Sequence, residues 1–111
     1  MWREAAMLER NMLIFRREFE SFLPPRIIDF HVHVINRQSI PPDCPLDAAG
    51  HRLEKYDFDD MAQDLAQTYP DRQTSAVCFG FPDPRYSLPE NNRYVASNCD
   101  GKRFFPLRLF D

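Results

Sequence analysis

Segments with helical periodicity alternate with segments of strand character along this 111-residue chain. Apolar residues at steps of three and four predict helices, whereas β-branched and alternating apolar runs predict strands. The predicted order is helix 1–23, strand 27–34, helix 57–69, strand 74–81, helix 87–98 and strand 103–110. Asp57 and Ser87 are the predicted N-caps of the second and third helices. Such alternation is typical of an α/β fold with parallel strands joined by right-handed crossovers.

Composition and charge narrow the class of protein. Apolar residues make up 43% and charged residues 28%, which is typical of a globular domain rather than a disordered chain. The net charge of −3 argues against nucleic acid as the main partner, because phosphate binding needs a basic surface. No apolar stretch reaches the roughly 20 residues of a membrane span, so no membrane partner is expected. Without a targeting signal, the cytosol is the expected compartment.

The three cysteines are expected to be thiols. Cys44, Cys78 and Cys99 are odd in number and have no Cys-x-x-Cys spacing, so the sequence predicts no disulfide framework. Cys78 lies within the second predicted strand. A free cysteine is often buried, and we therefore expect Cys78 to be a small core residue rather than a nucleophile.

The N-terminal unit, residues 1–25, is predicted to be one amphipathic helix that Pro24 and Pro25 end. Its apolar stripe consists of Ala5, Leu8, Met12, Phe15, Phe19 and Phe22. Two interpretations are open. The stripe packs against the rest of the domain, which we favour because two to three heptads are short for a coiled coil, or it pairs with a second subunit in a homo-oligomer.

The first predicted strand carries a pair of histidines. Because side chains alternate along a strand, Asp29, His31 and His33 share one face. The opposite face is apolar and consists of Ile28, Phe30, Val32 and Val34, which indicates a packed strand. Two histidines two residues apart have Cα atoms about 6.6 Å apart and point the same way. Both imidazoles can then bind one metal ion, unless they are simply two unliganded histidines on a half-exposed strand.

Other polar side chains are weaker candidates for a functional role. Asp29 is either a carboxylate ligand or an acceptor that orients an imidazole. A long Pro-rich connection, residues 36–55, holds Cys44 and His51, which would complete a site of three histidines and one cysteine if the connection folds back. Asp83 and Arg85 follow the second strand and contact either substrate or solvent.

Residues 27–34 (Ile-Ile-Asp-Phe-His-Val-His-Val) resemble the first strand of the amidohydrolase superfamily, which begins with Asp-x-His-x-His. Residues 91–95 (Asn-Asn-Arg-Tyr-Val) and 103–107 (Arg-Phe-Phe-Pro-Leu) are similar to a helix and the next strand of its amidohydrolase-related branch. The resemblance spans roughly residues 26–110, and only the histidine pair is a specific motif. It implies that residues 26–111 are the N-terminal part of a (β/α)8 TIM barrel.

The resemblance also implies a site and an activity. His31 and His33 would be the first two ligands of a divalent metal, with zinc favoured and manganese or iron as alternatives. The reaction would be attack of metal-activated water on an amide, lactone or related carbonyl of a small molecule, and decarboxylation is the near alternative. The family completes its site with further His residues and an Asp general base from later strands.

None of those later strands follows in this sequence. We therefore expect an incomplete N-terminal portion of an enzyme, with little activity of its own. The alternative from another class is a non-catalytic α/β module that associates through its N-terminal helix.

Overall fold

The fold is described from a computed structural model, which covers residues 2–48 and 50–110. Met1, Ala49 and Asp111 lie outside the described residues, although the predicted helix, connection and barrel portion include them. Within the covered ranges, no helix is long and apolar enough to cross a bilayer.

The described residues form three α-helices and five strands. In chain order they are α1 Trp2–Ile14, β1 Arg26–His33, β2 Leu46–Ala48, β3 His51–Leu53, α2 Phe58–Thr68, β4 Gln73–Phe79, α3 Leu88–Asn98 and β5 Phe104–Pro106. A π-helical turn, Phe15–Phe19, continues α1, and a 3-10 turn, Arg37–Ser39, follows β1. The predicted alternation of helices and strands is confirmed, although β5 is shorter than the predicted strand.

Three strands form one parallel sheet in the order β1-β4-β5, and β2 pairs with β3 in a separate antiparallel hairpin. Helix α2 lies between β1 and β4 in the sequence, and α3 lies between β4 and β5, so each parallel pair is joined by a helical crossover. The prediction of a parallel α/β fold is confirmed at this level. The described strands do not close into a barrel.

Local capping explains where α2 and α3 begin. The Asp57 carboxylate accepts from the Asp60 backbone N–H at 3.1 Å, and the Asp60 carboxylate accepts from the Asp57 N–H at 3.1 Å. These two bonds satisfy donors that the first helical turn leaves free. Ser87 Oγ accepts from the Glu90 N–H at the start of α3. Both predicted N-caps are therefore confirmed.

The long Pro-rich connection predicted over residues 36–55 does join β1 to α2, but it is not a loop throughout. It contains the β2–β3 hairpin and a second small core whose buried residues are Ile35, Ile40, Leu46 and Tyr86. The Arg37 guanidinium donates to the carbonyls of Pro41 and Pro42 at 3.0 and 2.9 Å. Because the prolines interrupt regular pairing, this one side chain satisfies carbonyl groups that the hairpin leaves free.

The expectation of a regularly alternating, packed β1 is wrong. The pairing with β4 shifts between Asp29 and Val32, which is a β-bulge that places an extra residue in β1. Ile28 is 54% exposed and Phe30 is 72% exposed, so the apolar face of the strand is open where it was expected to be buried. Only Val34, beyond the bulge, is fully buried.

The N-terminal helix makes a smaller contact than the favoured interpretation requires. Of the predicted stripe, Phe15 is buried, whereas Leu8, Phe19 and Phe22 are exposed. Arg72 fixes the end of this segment, because its guanidinium donates to the Glu20 carbonyl at 2.7 Å and lies over the Phe15 ring. The helix is therefore attached near its C-terminal end.

The turn before β5 predicts a pH dependence of stability. The Asp100 carboxylate accepts from the backbone N–H groups of Phe104, Lys102 and Arg103 at 3.0, 2.8 and 2.8 Å. These bonds lower the pKa of Asp100 to about 2. Because the unfolded value is about 3.9, the ionised group stabilises the fold above about pH 4, and this contribution is lost as the pH falls toward 2.

We expect Asp100→Asn to be less stable than the wild type at neutral pH and to lose less stability on acidification. Urea unfolding at several pH values between 6 and about 2 would measure both effects. Parallel pH profiles for the two proteins would contradict this role of Asp100.

Candidate metal centre

The two histidines lie at the carboxyl end of β1, beside the bulge. His33 is the last residue of the strand, and His31 is within the stretch where the register shifts. The Asp29 carboxylate accepts from the His31 backbone N–H at 3.0 Å. In the described contacts Asp29 thus bonds the main chain that carries His31 rather than an imidazole ring. It stabilises the irregular backbone from which both rings project.

The two imidazole rings converge. The Nε2 atoms of His31 and His33 are 3.2 Å apart, and the ring planes are inclined at 75°. At a metal–nitrogen distance of about 2.1 Å, nitrogens 3.2 Å apart subtend an angle of roughly 100° at an ion between them. The separation therefore suits two ligands of one tetrahedral or octahedral cation.

A backbone carbonyl selects the tautomer of His33. Its Nδ1 lies 2.8 Å from the carbonyl oxygen of Gly80. Because a carbonyl only accepts, Nδ1 carries the proton, and in the neutral ring the Nε2 lone pair is free. In the metal-free chain His31 Nε2 then donates to that lone pair across 3.2 Å, and binding of an ion between the rings requires the other His31 tautomer, with the proton on Nδ1. A metal-binding imidazole commonly has this arrangement, in which the second nitrogen donates to a backbone carbonyl.

Two aromatic side chains lie on one side of the histidine pair. The Phe79 ring lies 4.4 Å from the His33 ring and 5.0 Å from the His31 ring, and the Phe81 ring lies 5.2 Å from His33. Phe79 ends β4, and Phe81 follows it by two residues. This apolar wall limits the ring orientations and lowers the local dielectric constant on one side of the pair.

A cleft of about 300 Å³ between β1 and α2 reaches the histidines. Among its lining groups are Asp29, Tyr56 and Asp64. The Tyr56 hydroxyl donates to the Asp64 carboxylate, and burial together with this bond raises the pKa of Tyr56. Tyr56 therefore stays protonated near neutral pH, and its one hydroxyl proton is donated to Asp64.

The alternative four-ligand site is not assembled. His51 lies exposed on β3, and the half-buried Cys44 thiol contacts the carbonyl of Pro45. Across residues 2–48 and 50–110, no group of three or more His, Cys, Asp or Glu side chains is placed to hold one ion. The pair formed by His31 and His33 is thus a two-ligand arrangement.

The remaining polar candidates are engaged elsewhere. Arg85 forms ion pairs with Asp83 at 2.8 Å and with Asp47 at 3.3 Å. Cys78 is fully buried, and burial raises the pKa of its thiol to about 12. A thiol that remains protonated at neutral pH is a poor nucleophile, which agrees with the prediction that Cys78 is a core residue.

Three residues near the pair were not predicted as part of a site: Gly80, Phe79 and Asn91. Gly80 supplies the carbonyl that bonds His33, and the Asn91 amide packs against Gly80. A glycine between two phenylalanines at the end of a predicted strand was the available signal for Gly80. The role of Asn91 depends on contacts across the sheet, which no local pattern indicates.

Comparisons with protein-family models, with curated proteins and with solved structures find no match to this chain. The resemblance to the amidohydrolase superfamily therefore depends on the residues quoted above.

Proposed function

We propose that this chain carries part of the divalent-metal site of a metal-dependent hydrolase of the amidohydrolase-related type. His31 and His33 are the proposed ligands. The observation that supports this most directly is the 3.2 Å separation of their Nε2 atoms, together with the 2.8 Å contact that places a proton on His33 Nδ1. Zinc is the first proposed cation because imidazole suits it well, and manganese and iron are the alternatives.

The sheet topology supports the proposed position of the site. Parallel strands β1, β4 and β5, connected through α2 and α3, are the arrangement with which a (β/α)8 barrel would begin. In such barrels, active sites lie at the carboxyl ends of the strands, where His33 and Gly80 are located. We therefore propose a partial TIM barrel, with a small-molecule substrate and a cytosolic location that fits three free thiols.

Each residue of the proposed site would have a separate role in binding the cation or shielding it from water. A divalent cation supplies Lewis-acid polarisation of a carbonyl and makes water more acidic. His31 and His33 provide neutral nitrogen ligands, and the Gly80 carbonyl keeps the Nε2 atom of His33 unprotonated. Phe79 and Phe81 exclude water from one side of the rings. The Tyr56 hydroxyl, which donates its proton to Asp64, can accept a hydrogen bond at the edge of the same cleft.

Zinc titration of the whole chain tests this proposal. We expect saturable binding of one zinc ion by the wild type and its loss in the double variant His31→Ala/His33→Ala. His51→Ala is the matched control, because His51 is an exposed histidine remote from the pair in the sheet topology. Hydrolysis of a panel of amides and lactones, measured on the same samples, should be weak, because the described residues provide only two metal ligands, and should depend on the same two histidines. Equal binding by the wild type and the double variant would contradict the metal site.

A second candidate function has its own supporting observation. Met7 and Leu13 of α1 and Phe22 in the turn that follows the π-helical turn are large exposed apolar side chains. Such a surface suits a non-catalytic module that forms a homo-oligomer through this helix. Sedimentation at several concentrations would show association that Leu13→Lys weakens, and in this case the His31→Ala/His33→Ala variant would behave as the wild type in the zinc titration.

A further inference from the structure

Asn91 is a buried polar side chain at the same end of the sheet as the histidine pair. It is 1% exposed and lies in the first half of α3. Its Nδ2 donates to the Val34 carbonyl at 2.9 Å, and its Oδ1 accepts from the Phe81 backbone N–H at 3.0 Å. One amide thus joins the chain just after β1 to the chain just after β4, and a buried amide is stable only when bonded in this way.

These two bonds flank the contact that orients His33. Val34 directly follows His33, and Phe81 directly follows Gly80. The Asn91 bridge and the bond between His33 Nδ1 and the Gly80 carbonyl therefore connect the same two chain segments, one residue apart. Any change in the spacing between these segments changes the distance from the imidazole to its acceptor.

Close packing supports the same connection. A Cβ atom on Gly80 would lie 2.4 Å from Asn91 Oδ1, which is far inside van der Waals contact. The missing side chain at residue 80 is what allows the amide to reach the strand ends. Gly80 thus serves both contacts, since its carbonyl bonds His33 and its bare Cα accommodates Asn91.

We propose that Asn91 is a positioning residue for the histidine pair. It holds the end of β1 against the end of β4 so that the Gly80 carbonyl stays on Nδ1 of His33. The Nε2 lone pair of His33 is then directed to the ion. The part of this inference that concerns metal affinity depends on the proposed function, whereas the part that concerns the imidazole tautomer does not.

The neighbouring residue offers a matched control. Asn92 is also an asparagine of α3, and its amide makes the same two kinds of bond with one other segment. Its Nδ2 donates to the Leu109 carbonyl at 3.0 Å, and its Oδ1 accepts from the Leu109 N–H at 3.1 Å. If the loss of any amide bridge in α3 disturbed His33, variants of Asn91 and of Asn92 would both show the effect. We expect an effect on His33 only from the Asn91 variant.

The experiment compares Asn91→Asp with Asn92→Asp by 15N NMR of the histidine side chains, in the metal-free whole chain. Aspartate keeps the acceptor but loses the donor and places a carboxylate beside a carbonyl. We expect His33 to be protonated on Nδ1 in the wild type and in Asn92→Asp, and to show a mixture of tautomers in Asn91→Asp. Zinc affinity should fall about 10- to 100-fold in Asn91→Asp, the range typical of lost outer-sphere partners, and less than about threefold in Asn92→Asp.

Gly80→Ala perturbs the same contact without changing the amide, which covers the case in which Asn91→Asp does not fold. The added methyl group displaces Asn91, so the His33 tautomer should shift. An unchanged tautomer in folded Asn91→Asp or in Gly80→Ala would overturn the proposal. A wild type that binds no zinc would overturn the proposed function instead, because the tautomer measurement needs no metal.

Discussion

A chain that keeps only one of His31 and His33 is expected to bind zinc more than about a hundredfold more weakly than the wild type. Loss of an outer-sphere partner alone costs about 10- to 100-fold, and loss of a direct ligand removes a metal–nitrogen bond as well. With Nε2 atoms 3.2 Å apart, the second imidazole binds an ion that the first already holds. Each single variant should therefore be nearly as impaired as the double variant.

A double-mutant cycle measures this coupling. Zinc dissociation constants for the wild type, His31→Ala, His33→Ala and the double variant give the interaction energy between the two imidazoles. Shared binding predicts strongly non-additive losses, and the His51→Ala control should leave the affinity within about twofold of the wild type. Small losses that add up would show that each imidazole binds metal independently, which the convergent geometry does not allow.

Local patterns were enough to predict most of the helices and the parallel strands. The caps at Asp57 and Ser87 depend on residues three positions away, so the sequence contains all the information that they need. The same holds for α2, whose buried Met61 and Leu65 have helical spacing. The hairpin of β2 and β3 was not predictable in this way, because each strand has three residues and neither is long enough to show a period.

The bulge in β1 shows where local reasoning fails in the sheet. Strict alternation places Asp29 with the histidines, but the register pairs Asp29 with Ala76 and Val32 with Cys78, and both partners are buried in the core. An extra residue between them changes which side chains share a face. The bulge depends on how β1 fits β4, which is a long-range property that no window of the sequence contains.

In the candidate site, too, the local contacts were predictable from the sequence and the long-range contacts were not. His31 and His33 are two residues apart, which was enough to predict that their rings lie close together, although His31 lies within the bulge. The Gly80 carbonyl is 47 positions from His33, and the contact between Asn91 and Val34 spans 57 positions. The roles of Gly80 and Asn91 can be recognised only in the folded chain, where the crossover connections place the ends of β1 and β4 side by side.

The largest effect on stability is expected at the contact between α2 and the sheet. Met61 is 1% exposed and belongs to the main core, whose other buried members are Val34, Leu65, Ala76, Cys78 and Val95. Met61→Ala should lower the free energy of unfolding by about 2–5 kcal/mol, because it removes buried methylene groups and leaves a cavity. Helix propensity offsets little of this, since methionine and alanine are both good helix formers.

Met7→Ala is the matched control for this variant, because Met7 is a methionine of α1 that is 62% exposed. Its effect should stay within about 0.5 kcal/mol, as for most surface substitutions. Urea unfolding of both variants gives the midpoint and the slope, and an unchanged slope for Met61→Ala would mean that only stability has changed. A domain of this length has a free energy of unfolding of about 6–17 kcal/mol, so Met61→Ala removes a large share of its stability. Equal stability of the two variants would mean that the packing of α2 against β1 and β4 does not hold the histidine-bearing strand in place.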